Sequence, residues 1–265
     1  MYSKLQLAKK YLHYYFTASN GKGHGIHSPF VFEFVQQVLN DNRAFYAYRQ
    51  IEYLRYLLRN DKRVIDVEDM GAGSAISNHK KRAVSDISKH AAKSEKLGQL
   101  LFRIANYYQP KNMIELGTSL GMSAAYLAYA CPNASVTTIE GSENIAALAN
   151  ENFRFLGLKN IHLLTGHFDD MLPKALKEVE KIDLAFIDGN HQQLPTLSYF
   201  EKLLGKAHEY SIFIFDDIHW SSGMEEAWKT IRNYEKVSLT IDLFFLGLVF
   251  FRKDFKAKQD FIIRF

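Results

Sequence analysis

The chain has 265 residues, 47% of them hydrophobic, and a formal net charge of +4 with 33 Lys and Arg spread along it. That is enough apolar material for a sizeable core in one or two domains, and too mild a basic balance for a nucleic-acid-binding protein; the one dense cluster, His79-Lys80-Lys81-Arg82, reads as a solvated loop. A single cysteine, Cys131, excludes an internal disulfide framework and suits a reducing cytoplasm, and the longest apolar run, residues 243–251, is far too short to span a bilayer.

No signal-peptide pattern is visible at the N-terminus, so the expectation is a cytoplasmic protein with no membrane and no nucleic-acid partner. Residues 1–60 read as helical: an aromatic and leucine-rich stretch over 2–16, a glycine break at 21–25, a fresh start at Ser28-Pro29 and an amphipathic pattern over 48–58. Residues 61–92 read as a long connection, of the kind that often serves as a lid or binding loop. Within it the glycine-rich stretch 66–74 imitates a nucleotide loop, but no clean helix follows. Cys131, between an apolar helix and a proline, reads as a buried thiol.

From residue 94 the pattern turns regular. A helix over 94–108 is followed by strands at 112–116, 135–140, 161–164, 182–187 and 211–215, alternating with helices that begin at 123, 144, 171, 197 and 225. Strands over 239–251 and 260–265 close the chain. Such alternation implies a Rossmann-like, doubly wound, mostly parallel sheet of seven strands, with helices on both faces. The short charged link at 252–258 makes the last strand antiparallel. The domains expected are a helical extension, 1–92, and a ligand-binding domain, 93–265.

The densest signal is Met113-Ile114-Glu115-Leu116-Gly117-Thr118-Ser119-Leu120-Gly121-Met122-Ser123, a strand, a tight glycine turn and a helix start. Glycines there let the backbone turn and let a ligand approach a helix N-terminus. The dinucleotide fingerprint G-x-G-x-x-G fails, because Ser119 and Met122 occupy its second and third glycine positions. A nucleoside without a pyrophosphate, such as S-adenosylmethionine, suits the loop better. Glu140, 23 residues after Gly117, stands where an acid meets ribose hydroxyls in such folds. Further acids close later strands, at Asp188 with His191 and at Asp216-Asp217. Ligands bind at those strand ends.

Taken together, Gly98-Gln99-Leu100-Leu101, Glu115-Leu116-Gly117, Thr165-Gly166-His167-Phe168-Asp169-Asp170 and the spacing of Asp188 to Asp216-Asp217 resemble class I S-adenosylmethionine-dependent O-methyltransferases of the catechol and caffeoyl-CoA type, over residues 94–251. The resemblance implies that Glu115, Gly117 and Ser123 hold the methionine part of the cofactor, Glu140 the ribose, and Phe168 and Asp169 the adenine. Thr118, Ser119, Gly121, Gly166 and Asp188 complete the cofactor set. It implies a divalent cation, Mg²⁺ by ligand type, on Asp188, Asp216 and Asp217. It also implies a small-molecule acceptor and admits a homodimer. His191 falls where the family has its lysine base, Asp217 where it commonly has Asn, and residues 243–251 lack the acid that grips catechol. The rival readings are a nucleotide-dependent oxidoreductase and a non-catalytic binding module on the same sheet.

Overall fold

The computed structural model describes residues 1–67, 81–90 and 93–265. The chain forms two compact units, Met1–Asp41 with Glu180–Phe265, and Asn42–Val179. Eight strands belong to the large, mostly parallel sheet, three in the second unit and five in the first.

The first unit opens with α1 (Lys4–Thr17), started by a capping box in which Ser3 and Gln6 satisfy each other's backbone N–H groups. Then comes α2 (Pro29–Phe34), with the expected proline in its first turn, continuing into a π-helical turn, Val35–Leu39.

The second unit contains α3 (Tyr46–Asn60), a small hairpin of β1 (Val64–Asp66) and β2 (Lys81–Ala83), and α4 (Val84–His90). α3 covers the expected amphipathic pattern over 48–58, whereas β1, β2 and α4 lie in the stretch 61–92 expected to be a long connection. Most of the glycine-rich stretch and residues 79 and 80 of the basic cluster fall outside the described residues, while Lys81 and Arg82, expected in a loop, stand in β2.

The regular pattern follows with α5 (Glu95–Tyr108), β3 (Asn112–Leu116), α6 (Met122–Ala130), β4 (Ser135–Glu140), α7 (Glu143–Phe155), β5 (Ile161–Thr165) and α8 (Phe168–Glu178). β3, β4 and β5 pair in parallel in that order. Helix α6 is buried nearly all round, which its run of alanines allows. Gly98 of α5 lies so close to Tyr126 of α6 that an added Cβ would stand 2.3 Å from the ring. The Tyr126 hydroxyl donates to Glu52 Oε1 of α3 at 2.6 Å, a polar anchor on a helix packed mainly by apolar contact. The Cys131 thiol is buried, donates to the Ala105 carbonyl, and has its pKa pushed up to about 11 by burial.

The first unit resumes with β6 (Ile182–Ile187), α9 (Gln193–Leu204), β7 (Ala207–Asp216), α10 (Ser222–Asn233), β8 (Leu239–Asp242), β9 (Leu246–Phe250) and β10 (Gln259–Ile262), its strands ordered β10-β8-β9-β7-β6. Here the expectation needs correcting. The apolar run 239–251 is two strands, not one, and the sheet has eight strands in place of seven. The reversed strand is β9, antiparallel to β7 and β8, whereas the last strand is parallel to its neighbour β8.

The reason is a turn hidden among apolar residues. Asp242 Oδ1 accepts the Phe244 N–H at 2.8 Å, Leu243 and Leu246 close the turn, and Phe244 takes φ 70°. The last link does reverse the chain relative to β9, as a hairpin would. β9 is itself reversed, so β10 returns to the common direction. Helix α1 packs here too: Tyr14, Ala18 and Phe244 form a core cluster backed by Leu7 and Tyr11.

Candidate functional site

In the second unit the glycine turn is built on the end of β3. The Gly117 and Thr118 N–H groups both donate to the Ile139 carbonyl, at 3.0 and 3.1 Å, and Gly121 N–H closes the turn onto Thr118. Gly117, Ser119 and Gly121 have φ of 99°, 48° and 79°. Glycine reaches that region freely; Ser119 takes it with strain, which other contacts must hold in place.

The main hold is Glu140. Its Oε2 accepts the Ser119 N–H at 2.8 Å and its Oε1 accepts the Ser142 N–H, at the start of α7, at 3.0 Å. The loop and the acid are therefore in direct contact. A carboxylate has about four acceptor positions, so backbone N–H groups leave acceptor capacity for a ligand hydroxyl. Burial raises the Glu140 pKa, against the lowering effect of backbone N–H groups from Ser142, Ser119 and Gly141.

Beneath the loop, Glu115 is fully buried. The Thr138 hydroxyl donates to its Oε2 at 2.5 Å, and Thr138 in turn lies 2.6 Å from the Thr118 hydroxyl. Burial pushes the Glu115 pKa up to about 7, with the Ser123 and Thr138 hydroxyls pulling it down and the Glu140 charge pushing it further up. Its Oε1 lacks a hydrogen bond of normal geometry, as do the buried Ser119 and Ser142 hydroxyls. Buried polar atoms left this way cost free energy and suit a ligand that supplies partners. An ammonium group on Glu115 Oε1 and hydroxyls near Glu140 would do so, and S-adenosylmethionine carries both kinds of group.

Gly166, with φ 140°, follows β5 and donates its N–H to the Glu140 carbonyl. Phe168 and Asp169 sit in the first turn of α8, which starts three residues earlier than the sequence pattern places it. Thr138 is the contributor that motif reading misses. The parallel register pairs it directly with Glu115, so aligning β3 with β4 would have found it.

In the first unit, adjacent strands end together. The register Ile187↔Phe215 sets Asp188, just after β6, beside Asp216, the last residue of β7. One ligand atom each of Asp188, His191 and Asp216 lies within 4.8 Å of the others. His191 Nε2 is 3.6 Å from Asp188 Oδ1, and Asp216 is buried. Asp217 is not in this triple; its φ is 53° and its N–H donates to the Phe245 carbonyl. The arrangement can orient an imidazole against a carboxylate, or offer two oxygens and a nitrogen to a cation.

Close by in sequence, His219 is held between Glu225 (3.0 Å) and Asp242 (2.9 Å). Burial lowers its pKa, but the two carboxylates outweigh that and the net shift is upward. No sequence motif marks this group, because its members come from α10, the end of β8 and the turn between β7 and α10.

Residues 114–218 match the family described as a methyltransferase domain. The catechol O-methyltransferase of Niastella koreensis is 32% identical over 124 residues, 46% of this chain and 55% of that one. The catechol O-methyltransferase of Bos taurus is 30% identical over 129 residues, 47% of each chain. The chain thus spans about half the length of the curated relatives it matches. Among solved structures, the O-methyltransferase from Bacillus cereus in complex with SAH aligns with TM-score 0.56 and 20% identity, over 83% of this chain and 96% of that one, a likeness of fold. The resemblance read from the motifs stands on these matches.

Proposed function

We propose that the chain is an S-adenosylmethionine-dependent O-methyltransferase acting on the hydroxyl of a small molecule. The observation that carries the reading is Glu115. A fully buried carboxylate with one oxygen lacking a good hydrogen bond, beneath a turn tied to Glu140, calls for a cationic ligand. It lies within the stretch matching a methyltransferase domain.

In this reading Glu115 and Ser123 take the methionine end, Gly117, Thr118, Ser119 and Gly121 shape the turn around it, and Glu140 takes the ribose. Gly166, Phe168 and Asp169 border the adenine. When bound, S-adenosylmethionine supplies a methyl group on a sulfonium. The protein contributes alignment, which in well-ordered sites accounts for several kcal/mol of barrier. His191, oriented by Asp188, accepts the acceptor's hydroxyl proton. Residues 93–265 carry this machinery. Catechol itself is disfavoured, since residues 243–251 contain no acid.

A second reading applies to the acid cluster alone. Because Asp188, His191 and Asp216 converge within ligand distance of one another, a divalent cation would sit on these three, with His191 in place of Asp217. A cation there would lower the acceptor hydroxyl's pKa, and His191 would then not be the base.

Calorimetry with S-adenosylhomocysteine and with NAD(H) tests the main reading. Binding of the first and none of the second is expected; the reverse would overturn it. Methyl transfer to a panel of hydroxyl acceptors, run with and without chelator, separates the two roles of His191. Activity that chelator abolishes and Mg²⁺ or Mn²⁺ restores favours the ligand. Activity that chelator leaves intact and His191→Ala removes favours the base.

A further inference from the structure

Helix α1 has two apolar faces, and the fold uses one. Leu7, Tyr11, Tyr14 and Ala18 turn inward to Phe244. The other face stays in water: Leu5, Leu12, Tyr15 and Phe16 are 68%, 55%, 41% and 77% exposed. Positions 5, 8, 12, 15 and 16 are spaced three and four apart along the helix, so these side chains, with Ala8, fall in one stripe. Single exposed apolar residues are ordinary; an aligned stripe ending in Phe16 marks a contact surface.

Charge decides the occupant. Between Met1 and Phe32 the chain has Lys4, Lys9, Lys10 and Lys22 and no Asp or Glu. Lys10 is taken by Glu225, at 2.9 Å. Lys4 and Lys9 are exposed and flank the stripe, and the Arg264 guanidinium lies 4.2 Å from the Tyr15 ring centroid. Against a second α1, Lys4 would face Lys9 across a parallel seam, and a helix without acids offers its twin no counter-charge in either direction. Apolar side chains edged by cations, with no acid on the helix, are the composition of a helix that lies in the headgroup layer of an anionic bilayer.

We propose that α1 docks this protein onto membrane surfaces rich in anionic lipids, inserting Leu5, Leu12 and Phe16 between headgroups while Lys4 and Lys9 meet their phosphates. This is surface contact, distinct from spanning. Fourteen helical residues reach only about 21 Å, short of the roughly 30 Å hydrocarbon layer. Among the described residues no helix is long and apolar enough to cross a membrane. The proposal is independent of the methyl-transfer reading.

The test is co-sedimentation of the full chain with vesicles of phosphatidylcholine alone and of phosphatidylcholine mixed with phosphatidylglycerol. Binding to the mixed vesicles at least about tenfold tighter than to the neutral ones is expected, weakening as salt rises. Leu12→Gln/Phe16→Gln should abolish it, and Lys4→Gln/Lys9→Gln should remove the preference for anionic lipid. All four side chains are exposed, so circular dichroism should be unchanged in both variants. Equal or absent binding to the two vesicle types would overturn the proposal, as would binding indifferent to Leu12→Gln/Phe16→Gln. A lipid-free dimer that this double variant converts to monomer would overturn it too, by assigning the stripe to a second copy.

Discussion

Each oxygen of Glu140 accepts a backbone N–H, one from Ser119 and one from Ser142, so this side chain ties the glycine turn to α7 before any ligand arrives. A helix-start acid and a ribose-binding acid are usually weighed as alternatives; in the proposed reading the first role sets up the second. Fixing the carboxylate in advance removes the rotamer cost of ordering it on binding. Glu140→Ala should therefore weaken S-adenosylhomocysteine binding by at least about tenfold, about 1.4 kcal/mol, measured by calorimetry. Glu140→Gln, which keeps an acceptor oxygen, should fall between the two. Affinity unchanged in the alanine variant would remove the ribose role. Glu140 is legible in the sequence because strand-end acids stand out by position. Thr138, which holds Glu115 from the next strand, is invisible to motif reading because a threonine inside a strand has no distinguishing neighbours. Only pairing register reveals it.

At the scale of elements, the turn between β3 and α6 depends on space as well as on dihedral angle. A Cβ at Gly121 would stand 2.4 Å from the Phe153 ring, on a residue whose φ is 79°. Gly121→Val should thus destabilise the protein by about 2–4 kcal/mol, from overpacking plus left-handed strain, read as a lower urea midpoint with unchanged slope. Pairing it with Phe153→Leu should recover part of the loss, since the smaller side chain frees the space but not the dihedral. If the double variant recovers nothing, the contact with Phe153 is not what constrains the site. The hairpin of β8 and β9 makes the opposite point about legibility. Its turn contains no glycine, proline or asparagine, and Phe244 takes a left-handed conformation held by packing with Tyr11, Tyr14 and His219. Local sequence offers only Asp242, whose side chain accepts the Phe244 N–H, and the rest of the support comes from distant residues, some of them on α1 more than two hundred residues earlier.

At the scale of the whole molecule, the proposed function links the chain's stability to its affinity for a cationic cofactor through one proton. Burial holds Glu115 at a pKa of about 7, against an ordinary value of 4.5. Below the ordinary value the carboxyl is protonated folded or unfolded, and pH has no effect through this group. Between the two values the folded state keeps a proton that the unfolded state has lost, so stability falls as pH rises. Above the folded value the full cost of a buried charge applies, at most about 3 kcal/mol. A ligand ammonium on Glu115 favours the ionised form and offsets that cost. Binding should therefore release a proton below neutrality and tighten as pH rises. The rise in Tm produced by S-adenosylhomocysteine should be larger at pH 8 than at pH 6, and calorimetry near pH 6.5 in buffers of differing ionisation enthalpy should show proton release. Glu140, whose pKa burial also raises, contributes a slope of its own, so the decisive comparison is Glu115→Gln. That variant should bind more weakly and lose most of the pH dependence between 6 and 8. A Glu115→Gln protein with the same affinity and the same slope would show that the buried carboxylate meets no cation, and the methyl-donor reading of the turn above it would fail with it.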